Sequence, residues 1–370
     1  MEARAKYENK ANMHRNIKRG HALFITFCAQ KGRGHMDHVT LGSTGITVNK
    51  NGFGALPIQR ISEGEAGYLL KKAYLNGITF FDSARDYTDS ERKISLALSG
   101  VRDKIYIATK TSAKDANTFW EQLGTSLDTL KTSYVDVYQF HNPSFCPRPG
   151  DESGLYDAMI EAKAQGKIRH IGITNHRLEI AREAAESGLY ETIQYPISYI
   201  SAPGELKLVR QCADRNIGIL AMKALSGGLI TNSAVAYAFM MQFSNVLPIW
   251  GIQYERELDE FISYQDTAPI LDDKAKNVIK RDMEELSGDF CRGCGYCLPC
   301  AASINIPIAA RMSVLMKRAP ASFYFSDMAR EAMSRIEDCT DCGHCRQHCP
   351  YSLDAPQLMR ESLTEYKSLT

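Results

Sequence analysis

The chain has 370 residues, too long for one ordinary domain and enough for a large domain plus a small one. Its 44 Lys and Arg face 43 Asp and Glu, so net charge gives no footing for nucleic acid or an anionic membrane surface. A hydrophobic fraction of 44% suits a soluble protein with a real core, and no apolar run reaches the roughly 20 residues of a membrane span.

Residues 1–35 are basic (Lys10, Arg15, Lys18, Arg19) around a short apolar stretch, Ala22 to Ala29. A secretory signal needs an apolar region of about 7–15 residues and a small-residue cleavage site. This stretch sits at the lower limit and no such site follows it, so the segment reads as a disordered extension. Met36 would serve as an alternative start, because regular structure is expected just after it.

From Leu41 to about residue 268, short apolar runs alternate with helical stretches. The runs are Phe53–Ile58, Thr79–Ala84, Ile105–Lys110, Val135–Phe140, Ile168–Asn175, Thr192–Ile197, Gly218–Ala224 and Val246–Ile252. Each is rich in Ile, Val, Phe or Tyr and bounded by turn residues, as a buried parallel strand should be. Between them lie Glu63–Leu75, Thr118–Leu130, Gly154–Gln165, Arg177–Glu186 and Glu205–Arg215, with apolar residues at helical spacing. The alternation predicts an α/β fold, a (β/α)8 TIM barrel over residues 36–270. The rival is a doubly wound open sheet, which would usually carry a glycine-rich phosphate turn after its first strand; Pro57-Ile58-Gln59-Arg60 stands there instead. A helical connector is expected over 271–286 and a second small domain over 287–370.

Active sites of such barrels lie at the C-terminal ends of the strands. Asp82 ends the second run with Tyr87 just beyond, Lys110 ends the third, His141 follows the fourth and Asn175 ends the fifth. These side chains suit proton transfer. A tyrosine with pKa near 10 is a poor acid at neutral pH, and a neighbouring ammonium lowers that value. An aspartate would hold the lysine, and a histidine could hydrogen-bond a substrate oxygen. The plainer alternatives are a barrel-mouth ion pair and a loop-end histidine.

Gly77-Ile78-Thr79-Phe80-Phe81-Asp82-Ser83-Ala84, followed by Tyr87 and Ser90-Glu91, resembles the signature of the aldo/keto reductase family. Leu41-Gly42-Ser43-Thr44-Gly45, Ala108-Thr109-Lys110, Phe140-His141-Asn142-Pro143 and Gly172-Ile173-Thr174-Asn175-His176 continue the resemblance across residues 38–260. It implies a catalytic tetrad of Asp82, Tyr87, Lys110 and His141. Tyr87 would give a proton to a carbonyl oxygen while a nicotinamide cofactor, NADP or NAD, delivers hydride. It also implies cofactor contacts from Thr174, Asn175 and Gln194, with Met222, Lys223, Gly251 and Arg256 on the later strand ends as further candidates. Three departures stand out. Met222 takes the place of an aromatic ring, His176 follows Asn175 where phenylalanine is commoner, and basic residues after the eighth strand are few apart from Arg256. NADPH and NADH therefore both stay open. Cys146, in the loop after His141, reads as an ordinary loop cysteine.

Eight of the 11 cysteines fall between 291 and 349. Tight runs of this kind point to metal rather than disulfides, and thiolate ligands to a reducing, cytoplasmic setting. Cys339, Cys342, Cys345 and Cys349, followed by Pro350, match the bacterial ferredoxin spacing; Cys291, Cys294, Cys297 and Cys300 have one residue fewer before the fourth cysteine. Zinc is the alternative, but zinc ribbons use two separated Cys-x-x-Cys pairs. The resemblance to two-cluster ferredoxins implies two [4Fe-4S] clusters with crossed ligands. Cys291, Cys294, Cys297 and Cys349 would hold one; Cys339, Cys342, Cys345 and Cys300 the other. A single cluster is the fallback. Gly293, Gly295 and Gly343 would supply tight turns, and Ile304, Ile306 and Ile308 would shield the sites from water.

Together these readings give an oxidoreductase acting on a small carbonyl or alcohol substrate, with a redox partner protein for the clusters. Hydride moves two electrons together whereas each cluster takes one, so the clusters are not simply wired to the nicotinamide. The second reading is a non-catalytic nicotinamide-binding redox sensor or electron-transfer scaffold.

Overall fold

The computed structural model describes residues 38–286, 290–319 and 321–369; the N-terminal extension and Met36 lie outside them. Eight parallel strands close a barrel: β3 (Gly52–Gly54), β4 (Phe80–Asp82), β5 (Tyr106–Thr111), β6 (Val135–His141), β7 (Ile168–Thr174), β8 (Thr192–Pro196), β9 (Gly218–Met222) and β10 (Val246–Gly251), with β10 pairing β3. Their residues are buried almost throughout, which explains the near-continuous apolar runs in the sequence. The helices α1 (Glu63–Leu75), α2 (Ser90–Leu98), α3 (Ala116–Leu130), α4 (Leu155–Ala164), α5 (Leu178–Ser187), α6 (Pro203–Asp214), α7 (Ser233–Met240) and α8 (Glu255–Asp266) lie between and after the strands. Local chemistry starts and stops them. Ser62 and Glu65 form a capping box at α1, Asp115 accepts from the Thr118 amide at α3, and Gly188 ends α5 in a left-handed conformation.

The first apolar run differs from expectation. Its strand ends at Gly54, and Pro57–Arg60 forms a 3-10 turn, since proline cannot donate to a sheet ladder. Ahead of it is a hairpin that periodicity did not reveal, β1 (His38–Thr40) and β2 (Thr47–Asn49). Val39, Leu41, Ile46 and Val48 from this hairpin cluster with Phe80, Val137, Leu220 and Leu247. Gly42 bridges to Ile217, just ahead of β9, and a Cβ there would lie 2.4 Å from the Asn216 carbonyl oxygen. The hairpin thus plugs the N-terminal end of the barrel, leaving the C-terminal strand ends for chemistry.

The chain divides into two units. The first runs to Ala224 and resumes over Tyr237–Ile270; the second comprises Leu225–Ala236 and Leu271–Thr370. The second unit contains α9 (Asp273–Glu285), α10 (Ile306–Ala309), α11 (Met312–Arg318), α12 (Ala321–Tyr324), α13 (Asp327–Ser334), α14 (His344–His348) and α15 (Ala355–Lys367). Ile304, Ile306, Met312, Leu315, Met333, Ile336 and Met359 are buried in it. Arg318 ties its parts together, donating to the Leu229 carbonyl (3.0 Å), Asp282 (3.1 Å) and Glu285 (2.5 Å). Among the described residues no helix is long and apolar enough to cross a membrane.

Candidate functional site

At the C-terminal rim of the barrel, β4 and β5 set a charge pair. Lys110 Nζ donates to both Asp82 carboxylate oxygens at 2.8 Å and to the Ser83 carbonyl at 2.5 Å. Lys110 is 1% exposed and Asp82 4%. Burial pulls the Lys110 pKa below the ordinary lysine value, against the opposing charge and hydrogen bond of Asp82. The ammonium lies 5.2 Å from the centre of the Tyr87 ring. The His141 ring, at the end of β6, meets the Tyr87 ring edge-on, with centres 5.9 Å apart. Asp82, Tyr87, Lys110 and His141 therefore come together from the ends of three strands and the loop after β4.

Two further groups complete the pair's surroundings. Gln139 donates to Gln194 (2.9 Å), and Gln194 in turn donates to Asp82 (3.2 Å). Asp86 lies 3.3 Å from His141 Nδ1 and accepts from the Ser112 hydroxyl at 3.0 Å. The neighbouring His141 ring, outweighing partial burial, holds the Asp86 carboxyl below its usual range. Sequence reasoning passed over Asp86 and Gln139. The available signals were an acid directly before Tyr87, and Gln139 sharing the β6 face of His141 two residues on. Beneath them, buried Glu91 accepts from Thr109 (2.6 Å) and pairs with Arg85.

The remaining candidates sit on or just after later strand ends, with Arg256 in the first turn of α8. Thr174 Oγ1 lies 3.9 Å from Met222 Sδ. Asn175 uses its amide on backbone, donating to the Pro143 carbonyl (2.8 Å) and accepting from the Arg177 amide (2.8 Å). Lys223 has a positive φ of 56°, Gly251 ends β10 exposed, and the Arg256 guanidinium covers the Tyr254 ring. Cys146 is buried, which pushes its thiol up and fits a packing role.

In the second unit the cysteines surround two small cavities. One is lined by Cys291, Cys294, Cys297, Cys345 and Cys349; the other by Cys297, Cys300, Cys339, Cys342 and Cys345. Ile306 lies on both walls. Gly293, Gly295 and Gly343 all have positive φ, which lets the chain turn tightly between ligand positions. The Gly293 amide points at Cys291 Sγ (3.4 Å) and the Leu353 amide at Cys349 Sγ (3.5 Å). Burial raises the Cys291 and Cys345 thiols and pushes Cys297 up to about 12. Such a cage holds thiolates only when cationic iron offsets the burial, so the donor set fits iron–sulfur clusters.

The family model described as "Aldo/keto reductase family" matches residues 41–247, and that described as "4Fe-4S dicluster domain" matches residues 290–354. The L-galactose dehydrogenase of Arabidopsis thaliana is 28% identical over 210 residues, covering 52% of this chain and 66% of that protein. The NADH-specific methylglyoxal reductase of Escherichia coli is 26% identical over 231 residues, covering 54% and 70%. An aldo-keto reductase of Bacillus subtilis is 28% identical over 215 residues, covering 53% and 64%. The chain thus spans just under two thirds of the first and third of these relatives. Among solved structures, the holo form of an aldo-keto reductase from Bacillus halodurans superposes with a TM-score of 0.60 at 20% identity, covering 67% of this chain and 96% of that one. An aldo-keto reductase from Klebsiella pneumoniae in complex with NADPH gives 0.57 at 20%, covering 66% and 94%. At these identities the structures speak for the fold.

Proposed function

Because the chain belongs to the aldo/keto reductase family, we propose that it is an oxidoreductase in which Tyr87 exchanges a proton with the oxygen of a small carbonyl or alcohol substrate. A bound nicotinamide, NADH or NADPH, would supply or accept the hydride. The observation that carries this reading is the buried Asp82–Lys110 pair beside the Tyr87 ring. Lys110 makes the phenolate easier to form, Asp82 fixes Lys110, and Gln194 holds Asp82. His141, with Asp86 at Nδ1, keeps its other ring nitrogen for the substrate oxygen. Thr174, Met222 and the neighbouring Lys223 and Gly251, with Arg256 at the start of α8, would receive the cofactor.

The eight cysteines, in this reading, hold two [4Fe-4S] clusters. Cys291, Cys294, Cys297 and Cys349 bind one, and Cys300, Cys339, Cys342 and Cys345 the other. The way the two cavities divide these side chains supports the crossed sets. Thiolate ligation favours a reducing compartment such as the cytoplasm, where a one-electron partner protein would serve the clusters.

The test uses protein purified without oxygen. We expect oxidation of NADH or NADPH with members of a panel of small aldehydes and ketones, and loss of turnover in Tyr87→Phe with cofactor binding retained. Cofactor binding with no turnover across the panel would sink the enzyme reading in favour of a sensor. Analysis should return about eight iron atoms per chain, and about four would remove the second site.

A further inference from the structure

The two cysteine cavities differ in the charges built around them. Arg311, between α10 and α11, lays its side chain over Gly293: a Cβ there would lie 2.4 Å from Arg311 Nη1 and 3.3 Å from Cζ. Glycine at 293 is therefore what admits a guanidinium to the turn between Cys291 and Cys294. Arg311 and the Cys291 sulfur interact electrostatically. Among the described residues no carboxylate pairs with Arg311; Nη1 reaches the Gly227 carbonyl at 3.4 Å, and buried Nε has no hydrogen-bond partner. The other cavity has Asp341 in its wall. Its nearby cation, Arg346, is spent on Asp341 (2.8 Å) and Asp354 (3.0 Å), and Cys342 is open to water.

We propose that Arg311 makes the site of Cys291, Cys294, Cys297 and Cys349 the stronger electron acceptor of the two, and the site of Cys300, Cys339, Cys342 and Cys345 the electron donor. The inference rests on the two-cluster reading above. Reduction adds one negative charge to a site. A desolvated cation without a counter-ion stabilises that charge strongly, whereas a neutralised and solvated cation does so weakly. Within the module one electron then passes from the Cys342 side to the Cys291 side. One site returns from the 1+ to the 2+ state as the other goes from 2+ to 1+, and no proton moves.

The experiment is a dithionite titration of the full-length, cluster-loaded protein followed by electron paramagnetic resonance. Wild type should show two midpoint potentials. In Arg311→Gln the higher one should fall while the lower stays, and Arg311→Lys, which keeps the charge, should restore most of the gap. Asp341→Asn, which removes a negative charge from the wall of the second cavity, should raise the lower potential and narrow the gap from the other side. That variant and Arg311→Lys carry the test if Arg311→Gln fails to assemble. Unchanged potentials, or equal shifts of both, overturn the inference while leaving two clusters in place. A single signal with about four irons per chain overturns the two-cluster reading itself.

Discussion

The barrel mouth and the cysteine module solve the same problem, buried ionisable groups, in opposite ways. At the mouth each charge meets its partner within the chain. Lys110 meets Asp82, and Arg85 meets Glu91. The site is assembled before any ligand arrives, as electrostatic preorganisation requires. In the module the buried sulfurs face two cavities, and burial raises several of their pKa values. There, apart from Arg311 beside Cys291, the compensating charge must come from outside the polypeptide. One region is a finished tool; the other is a mould whose stability is linked to what fills it.

That contrast can be broken most directly by removing iron. After anaerobic chelation we expect one of two calorimetric unfolding transitions to vanish entirely while the barrel's persists. Two unaltered transitions would show that the module stands without its clusters. A smaller effect tests the mouth. Lys110→Met leaves Asp82 buried without a counter-charge and should destabilise the barrel by about 3–5 kcal/mol, with turnover lost. The double variant Lys110→Met, Asp82→Asn should regain much of that stability and none of the activity. If the single variant melts like wild type, the pair is not a buried ion pair of this kind.

The smallest effect sharpens the rule by its exception. Lys50 is buried near the barrel base and donates to the Met241 (3.2 Å) and Phe243 (2.5 Å) carbonyls. Burial pulls its pKa down to about 8. Below that pH both folded and unfolded chains are protonated and the fold bears the desolvation penalty. Between about 8 and the unperturbed value near 10.4, the folded chain gives up its proton first, so stability rises with pH. Melting temperatures of wild type and Lys50→Met between pH 7.5 and 9.5 should show that rise in wild type alone.

Much of this was legible in the sequence, for identifiable reasons. Buried parallel strands leave continuous apolar runs, so seven of the eight barrel strands fall within a residue or two of where periodicity puts them. Asp82, Lys110 and His141 are legible because a strand's C-terminal end is a fixed address in this fold. The β1–β2 hairpin escaped because three-residue strands carry too little pattern. The Gln139–Gln194–Asp82 chain escaped because it joins three strands and has no local signature. Arg311 escaped for the same reason: its meaning comes from Gly293, 18 positions earlier, and from the lack of a carboxylate partner among the described residues.

The boundary between the two units runs through the chain three times, at Ala224, Ala236 and Ile270. A gene cut after Ile270 would strand Leu225–Ala236, taking away Arg318 and its hold on the Leu229 carbonyl. The two parts are therefore not interchangeable cassettes. Recombination that swapped the tail would also have to re-tailor a loop far upstream, and the two segments are expected to be inherited together.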